Sequence, residues 1–594
     1  MSKELNEQLA TTEVVWNLRS LYPAGDDAGQ KMDISWCEQE AAKLANTFTG
    51  QVAALNATEL AALVRQLEAL DERLDRLESF AFLHFITQTA NAAASAQLQQ
   101  VEELAAAVGR QTVFFEVEWN QLDAAQANSL LEAPELAGYR HYLHTLRSRA
   151  PHQLSLKEEE LLQELAPTGR SAWNLLFDKV MSQIRFGAEG RSEEEVLSDL
   201  YSADRDTRRQ AAQDLTDGLQ THLHILTHIF NTLAQEKMIT DRLRRYPAWI
   251  SAMNLANELR PETVETLVST VTANYGIVHR YYRLKRSLLG LDELLDYDRY
   301  APLPQAGIEE KLISWPECRE LVLTAFACFS KEMAEIADGF FTGERIHAPL
   351  LTGKRGGAFA HPTVPSARPY VLVNYAGRRQ DVFTVAHELG HGVHQVLAAR
   401  QGLYNSDTPL VLAETASVFA EMLVFKAMLK DVQSAQLKRA LICEKLESIF
   451  ATIFRQVAMN RFEKAMHEGR RNMGELSDEQ LASFWLETQQ AMFADSVRLS
   501  ENYRLWWSYI PHFLSTPGYV YAYAFGELLV LALYARYEQE GPGFSRAYLD
   551  LLTAGGSQDP YTLMEPFDIQ LDDPAFWQGG LILVEKLLQQ AEQA

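Results

Sequence analysis

VAHELGHGVHQ, residues 385–395, is the stretch on which the reading of this chain turns. It presents His387, Glu388 and His391. Two histidines four residues apart fall on one face of a helix, one turn apart, so both imidazoles can reach one small ion. Zinc takes nitrogen and oxygen ligands at about 2.0–2.2 Å in a roughly tetrahedral set. Glu388 points beside such an ion, where a carboxylate can take a proton from water that the metal has acidified. Val382, Phe383, Val385, Ala386, Leu389 and Val393 give the helix an apolar surround and allow its burial. Gly390 and Gly392 weaken a helix by about 1 kcal/mol each. They therefore predict that another part of the molecule comes very close there.

HExxH needs a third ligand. Leu397 stands where the extended motif HExxHxxGxxH has its last histidine, so a carboxylate is expected from elsewhere. Glu414 is the candidate. It follows a turn-rich loop, GLYNSDTP (402–409), in which Ser406, Asp407 and Thr408 are capping residues and Pro409 suits a first helical turn. The spacing predicts one helix through LVLAETASVFAEML. Ala413, Ala416 and Ser417 are small enough to let it press on the HExxH helix. Glu421 lies two turns further along the same face and is placed to orient a ligand histidine. His394 is read as a packed residue near the site, because a fourth protein ligand would close the metal to water. A second pair, His224 and His228 in HLHILTH (222–228), has the same spacing but no acid between its members. It is read as a polar helix face.

Composition sets the background. The chain has 594 residues and a net charge of −25, which argues against nucleic acid or an anionic membrane as partner. Cys37, Cys318, Cys328 and Cys443 form no CxxC pair and are the usage of a reducing compartment. The first residues, MSKELNEQLATTEVVW, lack the apolar core of a signal peptide, and LLVLALYA (528–535) is too short to span a bilayer. A cytoplasmic protein is expected.

Apolar residues recur at spacings of three and four through 58–83, 92–110, 192–236 and 434–466, which predicts helices. KRGGAFAH (354–361) and YVLVNY (370–375) are the strand-like exceptions, so a mainly α protein with a small β-sheet beside the HExxH helix is expected. Gly356 and Gly357 remove side chains where a peptide backbone can lie, and with Ala358 and Phe359 they form a candidate substrate-binding edge. GAEGR, near residue 190, marks a loose boundary, and APLPQAG (301–307) reads as a loop. Peptide hydrolysis needs a donor for its anionic tetrahedral state. IPHFLSTPGYVYAYAFGELL (510–529) offers His512, Tyr519, Tyr521 and Tyr523. A helix starting after Pro517-Gly518 puts Tyr519 and Tyr523 on one face and turns Tyr521 away.

Several separate segments resemble, in the same order, the oligoendopeptidase F group of the thimet oligopeptidase family. They are SEEEVLSDLYSADRDTRRQAAQDL (192–215), LDYDRYAPLP (295–304), GKRGGAF (353–359), YVLVNY, DVFTVAHELGHGVH (381–394), AETASVFAE (413–421) and PHF…GYVYAYAFG (511–526). Residues from FFEVEWNQLD onward resemble the group's N-terminal domain. The resemblance implies a helical N-terminal region at 1–113, an oligoendopeptidase F N-terminal-like domain at 114–190 and a zinc peptidase domain at 191–594. It also implies an elongated helical ellipsoid with a deep central substrate channel, and one zinc on His387, His391 and Glu414, with Glu388 as general base. His512 and Tyr519 or Tyr523 would stabilise the transition state. The implied activity is cleavage of internal bonds in short, unstructured peptides. The rival expectations are a zinc-holding peptide binder without turnover and a carboxypeptidase variant of the same fold. The segment ERIHAPLLTGK (344–354) departs from the family pattern and leaves the subsites open, as is the oligomeric state.

Overall fold

The structure is a computed structural model that describes residues 2–23, 27–303 and 312–593. These are mostly α-helix, with one three-stranded sheet. The chain folds into two compact units, each drawn from three separate segments. The first comprises Met1–Ala150, Glu309–Asp431 and Leu533–Gln570; the second comprises Pro151–Ile308, Val432–Ala532 and Leu571–Ala594.

In the first unit, the periodicity at 58–83 becomes the helix Ala57–Phe85. Asn56 caps it by accepting from the amides of Thr58 and Glu59, and Glu59 reaches back to the Asn56 amide. Leu60, Leu63, Val64, Leu67, Leu70, Leu74 and Leu77 are all buried along its inner stripe. Burying one such side chain contributes about 1.5–3 kcal/mol. Helices Asp27–Phe48 and Ala92–Thr112 add to the same core, and so do Tyr370 and Leu372 of the sheet. The N-terminal helices thus hold the sheet in place.

The sheet consists of β1 (Ile346–His347), β2 (Phe359–His361) and β3 (Tyr370–Leu372), in the order β1-β3-β2. β3 is central, parallel to β1 and antiparallel to β2. Both expected strands are present but shortened to three residues each, and β1 is an addition. Residues 354–358 are held by side chains instead of a ladder. Lys354 Nζ donates to the carbonyls of His347, Pro349 and Val373 at 3.1, 2.9 and 2.7 Å. Asn374 Nδ2 donates to the carbonyls of Arg355 and Gly357. Gly357 has φ +77°, which a residue with a Cβ adopts only under strain. Side-chain donors therefore satisfy the backbone here, and the strand begins only at Phe359.

In the second unit, the periodic stretch 192–236 is two helices, Glu193–Asp199 and Arg205–Leu243. The break falls where Asp204 caps the longer helix by accepting from the Thr207 amide. Residues 434–466 divide likewise into Ala435–Thr452 and Phe454–Met473, on either side of Ile453. Near residue 190 the chain turns tightly, with Phe186 and Arg191 exchanging backbone hydrogen bonds. Asp298 in LDYDRY is fully buried and accepts from Arg205 and Arg208. Trp485, Trp506, Trp507, Phe462 and Phe513 build the unit's aromatic core. Of the predicted loop 301–307, residues 304–307 lie outside the described residues.

All four cysteines are free; Cys37, Cys318 and Cys443 are buried and Cys328 is exposed. Among the described residues, no helix is long and apolar enough to cross a membrane.

Candidate metal centre

The HExxH stretch lies within the helix Arg379–Ala398, whose Val382, Val385, Ala386, Leu389 and Val393 are fully buried. Its two glycines sit where the packing is tightest. A Cβ on Gly390 would lie 2.5 Å from the Ala416 carbonyl oxygen and 2.7 Å from Ser417 Cα. A Cβ on Gly392 would meet the Phe340 ring at 2.6 Å. The predicted close approach is therefore found, and it is the next helix that approaches.

That helix differs from the one expected. A single turn, Leu410–Ala413, ends at Glu414, and the main helix runs Thr415–Asp431. Glu414 sits at the junction with φ −82° and ψ 0°, as the C-cap of the short turn. Pro409 stands just before that turn rather than inside it, and no side chain caps it. Leu403–Ser406 forms a helical turn of its own.

The junction brings Glu414 to the histidines. Glu414 Oε2 is 3.3 Å from His387 Nε2 and 3.5 Å from His391 Nε2. The two rings are 4.9 Å apart and close to perpendicular. One ligand atom from each of the three residues lies within 4.8 Å of the others. Among the described residues, this is the one group of histidine, cysteine or acidic side chains that close together. Glu421 Oε2 lies 3.5 Å from His387 Nδ1, the ring nitrogen turned away from Glu414. The sequence marks Ser417 only as a small residue. Its hydroxyl donates to Glu414 Oε2 at 2.6 Å and so fixes that carboxylate. A serine three residues after a ligand acid, one helical turn on, was the available signal.

Glu388 is buried, and its Oε2 has no hydrogen-bond partner. Burial raises its carboxyl above the usual range, against the pull of His387 and His391. Burial also pulls the His387 imidazole down, but Glu414 and Glu421 outweigh it and lift the ring to about 10. Burial likewise pushes Glu414 up, yet the two imidazoles hold it well below the carboxylate range. Three carboxylates thus surround two imidazoles, with two nitrogens and one oxygen converging. This donor set fits a divalent cation that accepts nitrogen and oxygen. His394 is buried, which holds its imidazole down at about 4, in keeping with a packed role.

β2 is an edge strand, and Gln395 of the HExxH helix donates to its Ala360 carbonyl at 3.3 Å. A Cβ on Gly356 or Gly357 would meet nothing within 4 Å, so this edge is open. Ala358 is half-buried, and Phe359 packs against Phe82.

His512, Tyr519 and Tyr523 come together within the second unit. Tyr523 Oη is 3.4 Å from His512 Nε2, and the Tyr519 and Tyr523 rings are 4.7 Å apart. Burial, then Arg455, lowers the His512 imidazole from its ordinary value. Tyr521 is fully buried, and its hydroxyl accepts from Asn257 at 3.0 Å, so it does turn away from the other two. The helix starts at Tyr521, two residues later than Tyr519.

Comparison with known proteins agrees with this arrangement. The peptidase family M3 model matches residues 351–581, from the sheet through both helices of the metal group to the His512–Tyr523 segment. The adjoining model, described as oligopeptidase F, matches residues 118–186. Over residues 351–581 the chain is thus similar to peptidase family M3, a family of metallopeptidases. Oligopeptidase PepF of Bacillus subtilis is 24% identical over 98% of this chain and 87% of its own length. Group B oligopeptidase PepB of Streptococcus agalactiae is 27% identical over 81% of this chain and 80% of its own. The crystal structure of oligoendopeptidase-F from Enterococcus faecium shares the fold, with a TM-score of 0.71 at 22% identity, over 95% of this chain and 97% of that one.

Proposed function

We propose that this peptidase is a zinc-dependent endopeptidase that cuts internal bonds of short, unstructured peptides in the cytoplasm. The observation that carries the reading is the convergence of His387 Nε2, His391 Nε2 and Glu414 Oε2 beside the buried carboxylate of Glu388. Zinc held by those three atoms supplies Lewis acidity to water and to the scissile carbonyl. Glu388 takes the proton of the attacking water on its unpartnered oxygen and passes it to the leaving nitrogen. Glu421 orients His387 through Nδ1, and Ser417 orients Glu414. The open edge at Gly356, Gly357, Ala358 and Phe359 binds peptide through its backbone, which suits many sequences. His512 with Tyr519 or Tyr523 donates to the oxygen that becomes negative in the tetrahedral state. Support for that last assignment is their clustering and the resemblance of their segment to the family. The names of the relatives, oligopeptidases and an oligoendopeptidase, support the substrate class. The segments 1–113, 114–190 and 191–594 remain our reading of the chain's inherited modules.

The test is Glu388→Gln with a mixture of short peptides read by mass spectrometry. Turnover should fall by about 10²–10⁴ while zinc stays bound. Parent cleavage should stop with chelator and yield fragments from internal cuts. Cleavage by the variant at the parental rate would refute the mechanism.

A further inference from the structure

We propose that Glu463 and Arg170 are positioning residues that clamp the turn between His512 and Tyr519. The inference rests on the donor role proposed above for His512 and the tyrosines. After the helical turn His512–Ser515 the chain passes through Thr516 and Pro517 to Gly518, at φ +83°. The Gly518 amide is buried and donates to Glu463 Oε1 at 2.7 Å. Glu463 lies on the helix Phe454–Met473 and is fully buried. Its other oxygen, Oε2, has no partner. On the far side a Cβ on Gly518 would be 3.4 Å from Ile250 and Met253 and 3.6 Å from Trp249. The glycine is thus held between a carboxyl group and an apolar wall. Trp249 is itself braced by stacking on His467, one turn along from Glu463. Arg170 holds the other end of the turn, donating through one nitrogen to the carbonyls of Leu514 and Ser515 at 3.0 and 2.7 Å.

A fully buried carboxyl group with one unpaired oxygen is a poor way to fill space. An apolar side chain of the same size would pack there without the desolvation cost. What the carboxyl group provides, and an apolar group does not, is an acceptor for the amide of Gly518, the residue of positive φ in the turn. Immediately beyond that point, Tyr519 accepts from the Ala522 amide and Tyr523 approaches His512. Releasing Gly518 frees both ends of the segment that sets the donors against each other. A misplacement of about 1 Å can cost about 10²-fold in rate.

The experiment compares Glu463→Leu with Glu463→Gln in the full, zinc-loaded chain. Each variant is followed by kcat, KM, zinc content, thermal midpoint and hydrogen exchange at residues 516–520. Gln keeps an acceptor for Gly518 and should stay within about threefold of parental kcat. Leu should lower kcat by about tenfold or more, with KM and zinc content unchanged and faster exchange at Gly518. Arg170→Met reaches the same turn from a half-buried position, so it decides the matter if Glu463→Leu does not fold, and the same drop is expected. His512→Ala, Tyr519→Phe and Tyr523→Phe are measured in parallel. Parental kcat in Glu463→Leu, or in Arg170→Met, while those three are impaired overturns the clamp alone. Parental kcat in all of the last three overturns the donor reading on which it stands.

Discussion

Two helices of this chain carry histidines four residues apart, and only one of them builds a site. On Arg379–Ala398, His387 and His391 meet Glu414 within 3.5 Å. On Arg205–Leu243, His224 and His228 are exposed, and His228 does no more than pack edge-on against Trp173. The spacing is the same in both. The first has Gly390, whose missing Cβ lets a neighbouring backbone come in with a carboxylate at its junction. The second has an exposed face, met at His228 by Trp173 of the helix Arg170–Gln183. A histidine pair becomes a ligand set when the fold removes the space between it and an acid.

The sharpest way to break this contrast is at the acid. Glu414→Ala should strip zinc at equal chelator concentration and lower activity by about 10³-fold or more. His224→Ala with His228→Ala should change neither, as read by zinc stoichiometry and peptide cleavage. Next in size is Gly390→Ala, which sets a methyl against the Ala416 backbone. It should destabilise the protein by about 1–3 kcal/mol, seen in denaturant unfolding, and weaken zinc binding because the two helices must part. Ser417→Ala removes one hydrogen bond from Glu414 and leaves the fold alone. A loss of about tenfold in zinc affinity, by competition titration, is expected.

The smallest effect is read by pH at two groups buried in the second unit. Burial, with Lys237, Arg471 and Arg170 nearby, lowers the His467 imidazole to about 3. Its folded pKa is thus below the unfolded value of about 6.5. The stability it contributes is present above that value and is lost as pH falls toward 3. Burial raises Glu463 to about 8, so its contribution runs the other way, complete at low pH and lost as pH rises through 8. His467→Phe should flatten the acid side of the unfolding curve.

Much of the metal group was legible in the sequence because its parts obey short-range rules. The four-residue spacing, the glycines and the small residues around Glu414 each follow from helix geometry. What escaped depends on contacts far apart in sequence. The breaks at 200–204, at Ile453 and at Glu414 interrupt runs whose apolar period continues across them. β1 is two residues long and exists only because β3 pairs with it, so no local pattern could announce it. The strand is shorter than 354–361 because Asn374 takes the carbonyls of Arg355 and Gly357 while Lys354 reaches out to the Val373 carbonyl, contacts set by positions up to 19 residues away. The three-segment make-up of each unit is likewise invisible to any window moved along the chain.

The placement of the thiols has a practical consequence. Cys328 alone is exposed, at the end of the helix Trp315–Phe329. Its neighbour Phe329 touches Phe419 of the helix that follows Glu414, with ring centres 4.8 Å apart. A dye attached by maleimide would therefore enter at one place in the unaltered protein. It would report, through its emission, on the helix that begins just after the acid ligand as metal or peptide is added.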